Sequence, residues 1–478
     1  MDTGVLIVGA GPTGLMLAHE LRVAGAPAVL VDKLPRRSEL SRAGGVQSRT
    51  LTALDQRGLL EPLLATGNHP TSAGHFAGIE FAPENTAHRL PWRSVPQVVL
   101  EGFFEQHLAA HGVHIRRGHE LTGLAQDPGG VTATFAHGAV VRARYLVAAD
   151  GAHSTVRSLL GAGFPGRPGT STVVASDVRL DGAGEAMSHT WADDGHWAAM
   201  YPLGTDGQGR PLRRLVLGGP GRSRPREVPV TEDEVRDGLR LVFGSDVELL
   251  ELCYARRITN AARQAEHYRH GRVFLAGDAA HVHLPLGAQG MNTGMQDAVN
   301  LGWKLAAAVH GWAPGDLLDT YHAERHPVGA AVLRNVQAQS LLMDWAGTRD
   351  PDVAATRELF AALVELPEVQ RHLGDLLSGM AIRYPMPGTH PLVGRPAPDL
   401  RLGDGRLHEL LRSGRGVLLD PDDAFVKVAD PWTDRVDRAG EGTAAEPMLI
   451  RPDGYVCWAG DPDELEPALA RWFGRPRG

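Results

Sequence analysis

Asp278 stands at the end of an apolar, strand-like run, Gly271-Arg272-Val273-Phe274-Leu275-Ala276-Gly277. Gly277 lets the backbone approach a ligand closely. The chain then passes through Ala279, Ala280 and His281 to a Gly/Pro-rich turn, Pro285-Leu286-Gly287-Ala288-Gln289-Gly290, and a long helix starting near Met291. A strand, a single carboxylate and a helix N-terminus suit a ribityl hydroxyl next to an anionic ring system. The matching chemistry lies far upstream, in Gly9-Ala10-Gly11-Pro12-Thr13-Gly14. Gly9 permits a tight turn, Gly11 lets a pyrophosphate approach, and Gly14 lets helix and strand pack closely. Asp32 closes the next apolar run, Ala28-Val29-Leu30-Val31, at about the spacing of a ribose-binding acid.

Three elements must position these groups. Val5-Leu6-Ile7-Val8 reads as a buried strand, and Leu15, Leu17, Ala18 and Leu21 mark the helix behind it, whose N–H groups would face the phosphates. Tyr145-Leu146-Val147-Ala148-Ala149 is a second buried strand and runs into Asp150-Gly151-Ala152-His153-Ser154-Thr155-Val156-Arg157. Alone, the glycine motif is a weak signal; with strand, helix and acid in register it predicts a dinucleotide site.

Together, Gly9 to Gly14, Asp150-Gly151 to Arg157 and Gly277-Asp278 resemble the three fingerprints of the class A flavin-dependent aromatic hydroxylases, which share the para-hydroxybenzoate hydroxylase fold. Ser41-Arg42-Ala43-Gly44-Gly45, Val95-Pro96-Gln97, Gly290-Met291-Asn292 and Tyr321 to Pro327 fit the same family. The likeness is strongest to bacterial enzymes acting on aromatic polyketides and ansamycins. It covers most of the chain to about residue 390, and the remainder more faintly. Two positions depart from the pattern: Asp32 where Glu is commoner, and Met291 where Leu is usual.

The resemblance implies FAD, since one glycine motif is accompanied by two acidic fingerprints, with NADPH or NADH as a transient reductant. It assigns Asp32 and Lys33 to the adenosine and Leu121 to the adenine side. Thr13 and the glycine turn fall to the pyrophosphate, Arg42 to the phosphates and Gln97 to the ribityl chain. Thr155 is carried over from the second fingerprint, and Asp278 would take a ribityl hydroxyl. The N–H groups of Met291 and Asn292 would face the flavin ring and stabilise its charge when reduced. Pro285, Gly287 and Gly290 form the ring loop, and Ala43-Gly44-Gly45 lies where a mobile ring needs small residues. The implied reaction is hydroxylation of a polycyclic aromatic with O2 through a C4a-hydroperoxyflavin, in a site that keeps water out. No catalytic side chain is assigned beyond the ring loop. Baeyer–Villiger oxygen insertion stays open, as does a non-catalytic flavin protein that sequesters an aromatic drug. A flavin halogenase lacks support, because its Trp-rich motif is missing.

The implied fold is α/β. A discontinuous Rossmann-like FAD domain (1–68, 97–160 and 258–330) carries an inserted antiparallel sheet (69–96 and 161–257) as substrate domain. The pattern is helical from Leu317 to Ala346, with a bend expected at Pro327, and 331–383 is read as a helical segment. A Pro-rich linker (384–398) leads to a thioredoxin-like tail (399–478), with strands expected at Val417-Leu418-Leu419, Val426-Lys427-Val428, Met448-Leu449-Ile450 and Tyr455 to Trp458. Without a CxxC the tail cannot do dithiol chemistry, so it is read as a packing or dimerisation module compatible with a homodimer. His75, Phe76, Phe81, Trp197, Met200 and Tyr201 are the expected cavity walls.

Bulk properties fit this reading. A formal charge of −8 argues against nucleic acid. Two distant cysteines, Cys253 and Cys457, point to a reducing cytoplasm. No apolar run reaches membrane-spanning length, so no membrane partner is expected. His107 and His111 have metal-compatible spacing but lack companions, so no metal site is expected. His281 is read as structural and His283 left open. Glu324 and Arg325 are read as a helix ion pair, and Tyr321 as core.

Overall fold

The computed structural model describes residues 2–67, 69–70, 74–81, 90–184, 186–205, 208–345, 349–403, 405–440 and 446–476. Its largest sheet is built on Thr3–Val8, which is buried along its whole length, as expected of a strand covered on both faces. Ala28–Val31 and Val140–Ala148 flank it in parallel, and Ile115–Arg116 and Val273–Leu275 extend the parallel set outward. Leu121–Asp127 and Gly130–Phe135 form an antiparallel meander onto Val140–Ala148. The helix Pro12–Val23 starts directly after the first strand, with Pro12 in the first helical turn where its missing N–H costs nothing. It packs against the long helix Gln289–His310, so the two ends of the motif set meet over one core.

A second, antiparallel sheet has the order Ser188–Trp191, Trp197–Thr205, Pro211–Gly218, Thr172–Asp181, Glu248–Thr259. One face packs on the helix Glu232–Phe243 through Val174, Ala198, Met200, Leu215 and Leu217. The alternate residues face the other way, by the period of two inherent to a strand. A helix, Asp319–Leu342, contains Pro327 and ends in a turn that carries Met343 and Trp345 back toward this second sheet.

The C-terminal segment builds a four-stranded sheet in the order Val436–Ala439, Gly416–Leu419, Met448–Ile450, Val456–Ala459, with only the first pair parallel. Val426-Lys427-Val428, expected as a strand, is instead part of the helix Val426–Ala429. The reason is topological: two parallel neighbours need a crossover over one sheet face, and this trio lies within it. Residues 384–398 hold no helix or strand, yet Tyr384, Val393 and Ala397 are buried. The tail also shares an apolar core with Trp303 and Ala307 of the long helix and Leu317 of the turn that follows it.

A buried charge cluster ties the tail to the dinucleotide core. Glu324 accepts from Arg451 Nη1 at 2.6 Å, Lys304 Nζ at 2.8 Å and Asn300 Nδ2 at 2.6 Å. Arg325, by contrast, pairs with Asp297 at 2.7 Å. The expected Glu324–Arg325 pair is therefore corrected: successive helical residues point in different directions and each finds its own partner. Among the described residues no helix is long and apolar enough to cross a membrane.

Candidate active site

A cavity of about 1040 Å3 opens between the two large sheets. That is the upper end of the roughly 300–1,000 Å3 typical of small-molecule and cofactor sites. Gly9, Gly11, Thr13, Asp32, Lys33, Arg42, Gln97, Leu121, Thr155, Asp278, Pro285, Gly287, Gly290 and Met291 all line it, though they span most of the first 291 residues.

At the nucleotide end, Gly11 caps the helix Pro12–Val23, and a Cβ placed on it would meet no atom within 4 Å, leaving its backbone open to a phosphate. Gly14 is the third glycine of the motif and does not line the cavity. A Cβ there would lie 1.9 Å from the Gly9 carbonyl oxygen, so its role is the close contact of helix and strand. The Asp32 carboxylate accepts from the N–H of Ala10 at 2.8 Å and of Leu34 at 2.8 Å. It therefore fixes the glycine turn while still facing the cavity.

Asp278 has no hydrogen-bond partner among the described residues and projects into the cavity. Its position is set from behind. Asp297, fully buried, accepts from the Gly277 N–H at 3.0 Å and from His281 Nε2 at 2.8 Å, while its other oxygen takes Arg325 Nε at 2.7 Å. Burial alone would raise the Asp297 carboxyl, but Arg325 and His281 outweigh it and hold the pKa below the ordinary value. His281 is structural, as the sequence suggested. Asp297 is a residue that sequence reasoning missed; it sits on the buried face of a helix, where a carboxylate signals a partner from elsewhere in the fold.

The ring loop is shaped by two successive left-handed residues, Gly287 at φ 66° and Ala288 at φ 53°. Ala288 is the unusual one, since a Cβ disfavours that conformation, and such strain collects at functional sites. The helix begins at Gln289, two residues earlier than expected. That start leaves the Met291 N–H among the first-turn donors without an intrahelical carbonyl, whereas the Asn292 N–H reaches the carbonyl of Ala288. Asn292 does not line the cavity. Its side chain accepts from the Gln47 N–H at 2.9 Å and donates to the carbonyls of Gly45 at 3.0 Å and Ala288 at 2.7 Å. It clamps the ring loop to the Ala43-Gly44-Gly45 segment rather than presenting a main-chain donor. Gln47, also missed, donates to the Gly287 carbonyl at 2.5 Å. Asn292→Ala strands the Gln47 N–H and takes a donor from the Gly45 and Ala288 carbonyls, and should cost about 1–3 kcal/mol. Chemical denaturation of the FAD-loaded protein checks this, and an unchanged midpoint would refute the clamp.

At the far end the walls come from the second sheet. Of the expected residues, His75, Trp197 and Tyr201 line the cavity, joined by Ala175, Ala199, Val216, Met343 and Trp345. Met200 faces the helix Glu232–Phe243 because it is out of phase with Trp197 and Tyr201. Phe76 and Phe81 lie behind the wall, Phe76 against Phe360 at 5.1 Å between ring centres. His107 and His111 sit 4.4 Å apart, ring to ring, at a helix end, and neither lines the cavity. His283 lines it but turns Nδ1 onto the Leu284 carbonyl at 2.6 Å.

A dinucleotide cradle opening onto an apolar, aromatic chamber defines a flavoprotein aromatic hydroxylase. Residues 2–336 match the family described as FAD binding domain, and residues 390–476 the aromatic-ring hydroxylase C-terminal family. The chain is 44% identical to a rifampicin monooxygenase of Streptomyces venezuelae, over 98% of each chain. It is 42% identical, over the whole of both chains, to a 12-dehydrotetracycline 5-monooxygenase/anhydrotetracycline 6-monooxygenase of Streptomyces rimosus. The solved structure of OxyS anhydrotetracycline hydroxylase from Streptomyces rimosus superposes with a TM-score of 0.88, at 42% identity and full coverage of both chains. The chain belongs to the FAD-binding aromatic-ring hydroxylases and is an FAD-dependent monooxygenase.

Proposed function

We propose that this enzyme hydroxylates a polycyclic phenol or quinone of the aromatic polyketide or ansamycin type, with NADPH or NADH as reductant. The observation that carries this reading is one continuous cavity holding Gly11, Arg42 and Asp278 at one end and Trp197, Tyr201 and Trp345 at the other. In that cavity Asp32 and Lys33 would hold the adenosine, with Leu121 along the adenine. Thr13 and Arg42 would hold the phosphates, Gln97 and Asp278 the ribityl chain, and Thr155 of the second fingerprint lines the same cavity. Gln97 is braced by Glu101 at 2.7 Å, whose carboxyl is raised by burial.

Bound FAD supplies the redox chemistry, taking a hydride and activating dioxygen. The protein orients and shields it. The Met291 N–H and the positive end of the long helix would stabilise charge on the ring without any ionisable group. Met343, Trp345 and Trp197 exclude water from the chamber, and their flat apolar surfaces suit a fused-ring substrate.

The reading includes a flavin-binding body (1–68, 97–160 and 258–330) and a substrate-binding sheet (69–96 and 161–257). It also takes the tail (399–478) to be thioredoxin-like, which is supported by its parallel first pair and antiparallel third and fourth strands. Purified protein should be yellow, and rifampicin or anhydrotetracycline, used as probes, should accelerate NADPH oxidation and gain one oxygen atom by mass. A protein that binds FAD yet oxidises NADPH at the same rate with every polycyclic phenol tried would overturn the assignment.

A further inference from the structure

Arg49 is a buried cation to which the described side chains around it supply no counter-charge. It lies on the helix Ser48–Asp55 at 2% exposure, and its Nη2 donates to the Asp453 main-chain carbonyl at 2.7 Å. Its Nε and Nη1 donors are buried with no hydrogen-bond partner, as are Tyr455 Oη and Gln296 Oε1. Arg49, Tyr455 and Gln296 line one small cavity of about 10 Å3, with Ala53 and Val299 as apolar walls. Roughly 10–15 Å3 holds one water-sized occupant, so a polyatomic ligand does not fit. The cavity lies where this helix, the long helix Gln289–His310 and the tail meet, and it shares no lining residue with the large cavity.

The neighbouring charges are matched without it. Arg325 pairs with Asp297, while Arg451 and Lys304 face Glu324 and Asp453, two cations against two carboxylates. Glu20 and Arg57 close on each other at 2.8 Å. Asp55, on the same helix as Arg49, has both oxygens taken by Arg406. Burial raises the Tyr384 phenol well above its ordinary value, so that hydroxyl brings no negative charge. Arg49 is left with a carbonyl and the face of the Tyr455 ring, whose centre is 4.9 Å from its guanidinium carbon. A charge held that way in a low-dielectric interior is costly unless a counter-ion joins it.

We propose that this cavity binds one monatomic anion, chloride under ordinary conditions, which completes the junction between the tail and the dinucleotide core. Arg49 Nε–H, Arg49 Nη1–H and the Tyr455 hydroxyl donate to it, and charge-assisted bonds of this kind are the strong ones. The Gln296 amide, whose Nε2 lies 3.4 Å from Thr50 Oγ1, joins them once turned over. Thr50 then donates to the amide oxygen, and the NH2 faces the ion. A water satisfies the same donors but adds no charge and leaves the guanidinium unbalanced. Because Arg49 belongs to the core and Tyr455 to the tail, docking of the tail depends on the ion.

The test takes the full-length, FAD-loaded protein prepared in sodium acetate, whose anion is too large for the cavity. Chloride then replaces acetate at constant ionic strength, which removes general screening as a cause. Urea unfolding should show the folding equilibrium constant rising about tenfold per tenfold of chloride above the dissociation constant of the site. Arg49→Met should abolish that slope. Tyr455→Phe keeps the ring and the guanidinium, and should weaken chloride binding roughly tenfold; it decides the matter if Arg49→Met does not fold. Crystals grown in sodium bromide should show an anomalous peak within hydrogen-bond reach of Arg49 Nη1. An ordered water there with no bromide signal, and stability indifferent to the halide, would overturn the proposal. A chloride slope unchanged in both variants overturns it too, since the ion then binds elsewhere. The hydroxylase assignment stands either way, because the two cavities share no residue.

Discussion

Glu324→Gln is expected to destabilise the protein by about 3–5 kcal/mol, the usual result of removing one member of a buried ion cluster. The carboxylate is buried and serves Arg451 and Lys304, both 0% exposed at the side chain. Glutamine keeps the shape but removes one of the cluster's two carboxylates, leaving Lys304 without its ion pair and Arg451 with Asp453 alone. The two sides of the cluster disagree about its worth. Burial alone would raise the Glu324 carboxyl, but Arg451 and Lys304 reverse this and bring it to about 2. Lys304 goes the other way for a cation: burial, only partly offset by Glu324, lowers it to about 8. The carboxylate is stabilised by two partners, whereas Lys304 shares its one carboxylate with an arginine. The physical conclusion is that Glu324 anchors the cluster and Lys304 is nearly expendable.

Lys304→Met should therefore cost far less than Glu324→Gln, since an apolar side chain of similar length avoids the desolvation of an ammonium. Urea unfolding followed by tryptophan fluorescence compares the two; equal losses would refute the ranking. The pH dependence follows with definite sign. The folded pKa of Glu324 lies below its unfolded value of roughly 4.3, so its contribution is present above that value and fades as the pH falls toward about 2. Lys304 has a folded pKa below its unfolded value of roughly 10.4, so the unfolded chain binds more protons between the two and stability recovers as pH rises from about 8.

The second large effect is at Gly14. Alanine there sets a methyl 1.9 Å from the Gly9 carbonyl oxygen and 3.4 Å from the Ala149 side chain. The obstacle is backbone in the turn that faces the phosphates, so no side chain can rotate away. The helix and the strand Thr3–Val8 must separate, which carries Gly11 and the helix N-terminus off the cavity. Overpacking of this kind costs roughly 1–3 kcal/mol, or about ten- to a hundredfold in FAD affinity if it falls on binding. Gly14→Ala should emerge pale, and equilibrium dialysis with FAD measures the loss. Retention of FAD at the parent affinity would show that the turn tolerates the methyl.

The end of the cavity proposed to hold FAD was legible in the sequence because its parts are backbone features with local signatures. A glycine motif after a buried strand, an acid after the next strand and a carboxylate at a strand end each announce themselves within a few residues, and Gly9, Gly11, Asp32 and Asp278 line one cavity. The substrate end was only half legible. Alternation in Trp197–Thr205 could have separated Trp197 and Tyr201 from Met200, but which phase faces the chamber depends on where the helix Glu232–Phe243 packs.

From the amino acids alone came the α/β class and the dinucleotide motif, because strand and helix periodicities and glycine spacings are short-range properties of a chain; the family and the cofactor came from the resemblance of the three fingerprints to known hydroxylases. Folding in three dimensions decided the partners of the buried charges. Asp297 reaches back twenty residues to Gly277, and Glu324 reaches forward 127 to Arg451. It also turned Val426-Lys427-Val428 into a helix and Asn292 into a clamp. A charge or amide in a low-dielectric interior takes whichever complementary group the packing delivers, and sequence separation places no limit on that choice.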